Sequence, residues 1–129
     1  MKFHTDGDPP QPGQVFVFGS NLAGIHGAGA ALAARRFYGA IQGIGMGKQG
    51  NSFAIPTKDT RIITLPLSDI YKYVNTFKAF AQRNPFLDFF VTRVGCGLAG
   101  YKDFQIAPMF KNSPNNCSFP EAWQDHLTK

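Results

Sequence analysis

The sequence predicts a three-layer α/β sandwich, and two patterns lead to that fold class. Extended and helical patterns alternate along the chain, which calls for helices on both faces of a largely parallel or mixed sheet. Two glycine-rich segments, 19–29 and 95–100, each follow a short apolar run, as loops do at the carboxyl ends of strands in open sheets. At 129 residues the chain has the size of one domain, expected over 14–129 after an irregular lead-in over 1–13.

The elements follow in order. Asp6-Gly7-Asp8-Pro9-Pro10 and Pro12-Gly13 make the lead-in irregular. Gln14 to Phe18 is a β-branched and aromatic run that ends at Gly19-Ser20-Asn21, so it reads as a buried strand feeding a loop. Ala28 to Tyr38 is alanine-rich and is followed by Gly39, which predicts a helix that stops there. Gly43, Gly45, Gly47 and Gly50 mark 43–51 as a mobile or tightly turned stretch before a short strand, Ser52 to Ile55, ended by Pro56.

Arg61 to Leu65 reads as the next strand, closed by Pro66. Ser68 is then a candidate cap for a helix in which Ile70, Tyr73, Val74, Phe77, Phe80 and Ala81 recur at three- and four-residue steps until Asn84-Pro85. Leu87 to Val94 is the following strand, broken by Gly95-Cys96-Gly97, and Asp103 is a candidate cap for a short helix that Pro108 restricts. The tail with Trp123 is expected to fold back as a last helix.

Composition narrows the function classes. The 43% hydrophobic and 16% charged balance is that of a globular chain, and 13 phenylalanines supply much of the core volume. No apolar run approaches the roughly 20 residues that span a bilayer, and the first residues lack a hydrophobic segment of signal-peptide type, so a soluble cytoplasmic protein with no membrane partner is expected. Cys96 and Cys117 are read as reduced thiols, and His4, His26 and His126 lack metal-ligand spacing, so neither metal nor cofactor is expected. The net charge of +5 favours an anionic partner. Because no basic run of five occurs, a phosphate-bearing small ligand is favoured over nucleic acid.

Three segments can carry chemistry. In the first, Gly19 to Ala31, four glycines within eleven residues let backbone N–H groups approach an anion while the following helix adds its positive end. A plain strand-to-helix turn is the alternative, and His26 reads equally as a phosphate or ribose contact and as a solvent-exposed loop residue. In the second, Arg93 to Tyr101, Gly95, Gly97 and Gly100 allow a nest of amides around a phosphate, with Tyr101 either on a ribose or base or in the core. In the third, Pro56-Thr57-Lys58-Asp59, Lys58 is a phosphate ligand, an amine nucleophile, or a surface lysine paired with Asp59. Gly45-Met46-Gly47-Lys48-Gln49-Gly50 has the spacing of a dinucleotide fingerprint but precedes a strand, and Gln42 and Gln49 stand where a P-loop needs Gly and Ser or Thr.

Together these segments resemble the macro domain superfamily, and within it the branch of the terminal ADP-ribose protein glycohydrolase and the antitoxin macro domains. Gly27-Ala28-Gly29-Ala30-Ala31 with Phe37 and Gly39, then Thr57-Lys58, then Arg93-Val94-Gly95-Cys96-Gly97-Leu98 carry the resemblance, which spans about Val15 to Phe110. It implies a macro-type α/β/α sandwich with a mixed six-stranded sheet and ADP-ribose across its crest. The loop with Ser20, Asn21, His26, Gly27, Ala28 and Gly29 would face the ribose nearer the scissile bond. Gly95, Cys96, Gly97, Leu98, Ala99, Gly100 and Tyr101 would wrap the diphosphate.

In that branch a lysine after the threonine attacks the anomeric carbon and an aspartate after Gly-Cys-Gly-Leu assists. Lys58 matches the lysine, but Ala99 stands where the aspartate would be, and no aspartate lies near Gly27. Asp59, Asp69 and Asp103 are the candidates to replace it. The leading expectation is therefore binding of ADP-ribose or an ADP-ribosyl derivative, free or on a modified macromolecule. Hydrolysis through Lys58 is the second expectation, and a nucleic-acid or partner-binding domain is the third.

Overall fold

The computed structural model describes residues 1–128. Six strands form one mixed sheet: β1 (Lys2–His4), β2 (Gln14–Asn21), β3 (Gly47–Gln49), β4 (Ser52–Lys58), β5 (Asp88–Val91) and β6 (Cys117–Pro120), in the order β1-β6-β5-β2-β4-β3. All neighbours are parallel except β3, which runs antiparallel to β4 at the edge. The helices are α1 (Gly29–Phe37), α2 (Leu67–Arg83), α3 (Asp103–Ile106) and α4 (Gln124–Thr128), with 3₁₀ turns at Ala107–Phe110 and Glu121–Trp123.

Alternation along β2 divides the core. Val15 and Val17 face the larger layer, where Ile70, Val74, Phe77 and Ala81 of α2 and the C-terminal residues Phe110, Phe119 and Trp123 pack. Phe16 and Phe18 face the other layer, where Ala31 and Ala34 of α1 are small enough to bring that helix close to the rings. Both faces of β2 are covered, which is why its sequence is a continuous apolar run and not an alternating one. No helix among the described residues is long and apolar enough to cross a membrane.

Several elements differ from the sequence reading, each for a local reason. Lys2–His4 lies inside the expected lead-in yet adds a parallel edge strand to β6, with His4 stacked on Phe90 at 3.7 Å and its Nδ1 2.7 Å from Ser118 Oγ. Strand β4 continues through Pro56 to Lys58. β3 pairing has already stopped at Ala54, so a residue without an N–H is tolerated there, and the β2 partner strand bulges between Ser20 and Asn21.

Arg61 to Leu65 is no strand. Asp59 Oδ1 accepts the N–H groups of Arg61 and Ile63, at 2.8 and 3.0 Å, and reverses the chain, with Ile62 at φ 64° and only Thr64 bridging back to Lys58. Helix α2 starts one residue before Ser68, with Pro66 as its cap, because the Pro66 carbonyl accepts from both Asp69 and Ile70. Strand β5 is shorter than Leu87 to Val94, since Val94 N–H folds back to donate to the Thr92 carbonyl at 2.7 Å.

The stretch over 43–51 is tightly turned, the second of its two readings, and Gly47–Gln49 within it forms β3. Gly43 N–H donates to Gly24 at 2.8 Å, and Gln42 Oε1 accepts from His26 N–H at 3.1 Å. A side chain on Gly45 would collide with the Asn21 carbonyl. Gln49 binds Ile41 N–H and the Ile44 carbonyl, closing the stretch on itself.

Candidate functional site

The carboxyl ends of β2, β4 and β5 open into a cavity of about 440 Å³, walled on one side by residues 19–31 and on the other by 92–99. Its first wall is tied together by side-chain hydrogen bonds. The Asn21 side chain bridges the loop, with Oδ1 accepting from Ile25 N–H at 3.0 Å and Nδ2 donating to the Ile25 carbonyl at 2.8 Å. Gly24 turns at φ 70° with the 43–44 backbone packed where a Cβ would go.

Helix α1 begins in this wall. Ala28, its extended cap residue, offers no side-chain hydrogen bond, and the first turn carries no acidic residue. Gly29, Ala30 and Ala31 line the cavity, so the uncapped amides and positive end of the helix adjoin it.

The second wall is held from outside. Thr64 Oγ1 donates to the Ala99 carbonyl at 3.0 Å, and Tyr101 Oη donates to the Leu65 carbonyl at 2.7 Å. Arg93 meets Asp103 through two hydrogen bonds of 3.0 Å, and its Nη1 lies 3.6 Å from Asp6 Oδ2. Burial opposes ionisation of Asp103, but hydrogen bonds from Arg93 and from Trp123 Nε1, the latter 2.8 Å long, outweigh it and hold the carboxyl below its ordinary range.

Ser20, Asn21, Gly27, Ala28, Gly29, Lys58, Gly95, Gly97, Leu98 and Ala99 all line the cavity, as the sequence suggested. Four expected contacts do not. His26 is fully buried behind the first wall, its ring edge-on to Phe18 at 5.3 Å, and neither ring nitrogen has a well-formed hydrogen bond. Burial lowers its pKa, opposed by the Ile44 backbone and reinforced by Arg35. It is neither an exposed loop residue nor a lining one.

Tyr101 packs into the core with its hydroxyl on Leu65, and Gly100 lies with it outside the lining. Cys96 turns away towards a second cavity, and burial pushes its thiol up to about 12, so it is no thiolate nucleophile. Cys96 and Cys117 are not bridged.

Two lining features stand out. Ser20 Oγ is buried and has no hydrogen-bond partner, and Lys58 Nζ makes no hydrogen bond or ion pair among the described residues. The pairing of Lys58 with Asp59 does not form, because Asp59 is taken up by turn amides. No carboxylate among the described residues lines the cavity. Asp69 pairs with Lys72 at 3.9 Å on α2 and Asp103 with Arg93, so none of the three expected substitutes stands beside Lys58.

Sequence reasoning did not find the second cavity, of about 490 Å³, which joins the first at Ala30, Thr92, Arg93 and Gly97. Its floor is aromatic: Phe16 and Phe90 lie 6.2 Å apart, with Tyr38 and His4 stacked on them, and Asp6 to Pro10 form one rim. These residues come from four separate segments, so no local motif announced them.

No family model matches the sequence, and no curated protein matches it. A solved structure does: the macrodomain of Mycobacterium tuberculosis DarG superposes with a TM-score of 0.67 over 93% of this chain and 97% of that one, at 18% identity. The chain has the macrodomain fold. The six-stranded mixed sheet between helical layers expected from the resemblance is therefore the observed architecture, and the cavity lies at the strand ends of that macrodomain fold.

Proposed function

We propose that this protein binds ADP-ribose or an ADP-ribosyl derivative, with the diphosphate between the two glycine-rich walls. The observation that carries the reading is the cavity itself: its walls include an uncapped helix start, the unpaired Lys58 and Ser20, whose buried hydroxyl has no partner, and no carboxylate among the described residues lines it. Such a site repels cations and suits a phosphate-rich ligand. The adjoining aromatic cavity supports the same reading, because a nucleobase needs a flat apolar slot at one end of the diphosphate. On this reading the distal ribose takes the other end, over β2 and β4 beside Lys58, an arrangement that the strand order supports.

Calorimetric titration tests this. ADP-ribose binds more tightly than AMP or ribose phosphate, and Gly97→Val weakens it at least about tenfold, roughly 1.4 kcal/mol. Gly97 is a clean probe, since a Cβ there meets no atom within 4 Å and no positive φ strains it. Equal affinity for AMP, or normal binding by the folded variant, defeats the proposal.

A second reading, removal of ADP-ribose from a modified macromolecule, draws support from Lys58, an unpaired amine at the ribose end that can attack the anomeric carbon. It lacks an acid for the leaving group, since Ala99 lines the cavity where the resemblance calls for an aspartate. Binding is accordingly the better supported function.

A further inference from the structure

We infer that the Lys58 end of the cavity selects ADP-ribosyl groups whose anomeric substituent is uncharged, and rejects cationic substituents such as a nicotinamidium or a guanidinium. This rests on the ADP-ribose reading and adds to it the class of substituent the site accepts.

The charge inventory is short. Among the described residues that line the cavity, only Lys58 and Arg93 are charged. Arg93 is compensated by Asp103 through two hydrogen bonds and by Asp6, so its field at the far end of the cavity is largely cancelled. Lys58 has no compensating partner among the described residues, and the nearest carboxylate in sequence, Asp59, accepts two turn amides and does not line the cavity. A cation on the anomeric carbon would therefore meet an unpaired ammonium with no protein carboxylate lining the same half-buried space, whereas a neutral group would not.

The surroundings of that end are apolar. Ile25, Ile62 and Leu98 line the mouth at 49, 40 and 70% exposure, apolar side chains left open around a polar cavity. Ile62 is held at φ 64°, a conformation that a β-branched residue rarely adopts, by the Asp59 turn. The strained turn sets an apolar side chain on the rim, just where a substituent on the distal ribose would emerge. An uncharged ring or acyl group gains contact there, while a cation loses hydration without a partner.

The test compares NADH with NAD⁺, two ligands of nearly equal shape whose nicotinamide rings differ by one positive charge, with ADP-ribose as reference. By calorimetry in low salt, ADP-ribose binds and NADH binds at least about tenfold more tightly than NAD⁺, the effect of one like-charge contact in a partly desolvated site. Lys58→Met brings the NADH to NAD⁺ ratio within about twofold, and Lys58→Arg, which keeps the charge, retains it. Equal affinities in the parent overturn the inference while the ADP-ribose reading stands. A ratio unchanged in Lys58→Met, or exclusion of both dinucleotides by a protein that binds ADP-ribose, overturns it as well. Failure of ADP-ribose itself to bind removes the reading and the inference together.

Discussion

Arg93 and Asp103 lie face to face, Nε to Oδ1 and Nη2 to Oδ2, both at 3.0 Å, and Trp123 closes the pair with a third hydrogen bond at 2.8 Å. This joins the second cavity wall to the start of α3 and to the C-terminal layer. Asp103→Asn keeps the shape and loses the charge, and costs about 1–2 kcal/mol by chemical denaturation, at the low end because the Arg93 side chain is 38% exposed. The folded-state pKa of Asp103 is depressed, so its stabilisation is present above the ordinary carboxylate value and is lost as pH falls through the lowered one. The difference between parent and variant therefore shrinks in strong acid. A difference that persists there would assign the loss to packing.

Ser20 separates binding from stability. Its hydroxyl is buried without a partner, a state that costs a folded protein free energy. Ser20→Ala leaves the melting temperature unchanged or raises it, and weakens ADP-ribose by about threefold to tenfold. A variant that melts lower would show that the hydroxyl has a structural partner.

Acid acts on the first wall through His26. Burial lowers its pKa, so the folded state favours the neutral ring and the unfolded state, near 6.5, takes up the proton first. The stabilisation of the neutral ring is complete above the unfolded value and is lost as pH falls below it. Melting temperature drops from pH 7.5 to 5.5 in the parent, and His26→Phe flattens the slope. His4 is lowered by burial too and contributes a slope of the same sign, so the quantity to read is the difference between the two proteins.

Catalysis is the sharpest test of the missing carboxylate. The parent releases little or no ADP-ribose from protein carboxylates or nucleobases, and Lys58→Ala releases none. Ala99→Asp, which adds a carboxylate to the cavity wall, gains measurable release. Time courses by chromatography decide between outcomes. Rapid release by the parent that vanishes in Lys58→Ala would make the protein a hydrolase with its acid elsewhere.

The sequence by itself determined what local chemistry encodes. The apolar run at 15–18 determined a strand buried on both faces, the four-residue steps of Ile70, Val74, Phe77 and Ala81 determined α2, and the glycines at 24, 27, 29, 95 and 97 determined where the backbone could open into walls. Ten of the residues expected to meet a ligand line the cavity, because a loop after a strand has few places to go.

Tertiary structure alone decided the rest, because each remaining feature depends on partners far apart in the chain. Lys2–His4 is a strand only because β6, more than a hundred residues later, offers an edge. Arg61 to Leu65 has strand-forming residues, yet a single carboxylate, Asp59, bends it, and Thr64 and Leu65 instead hold the second wall through Ala99 and Tyr101. The 43–50 glycines left a mobile and a tightly turned reading open in sequence, where a glycine signals freedom. In the fold Gly45 is required by contact with Asn21, a constraint that exists only once the two segments meet. The charge character of the cavity is likewise a property of the fold: only the assembled structure draws Asp59, Asp69 and Asp103 to partners elsewhere and leaves Lys58 without one among the described residues.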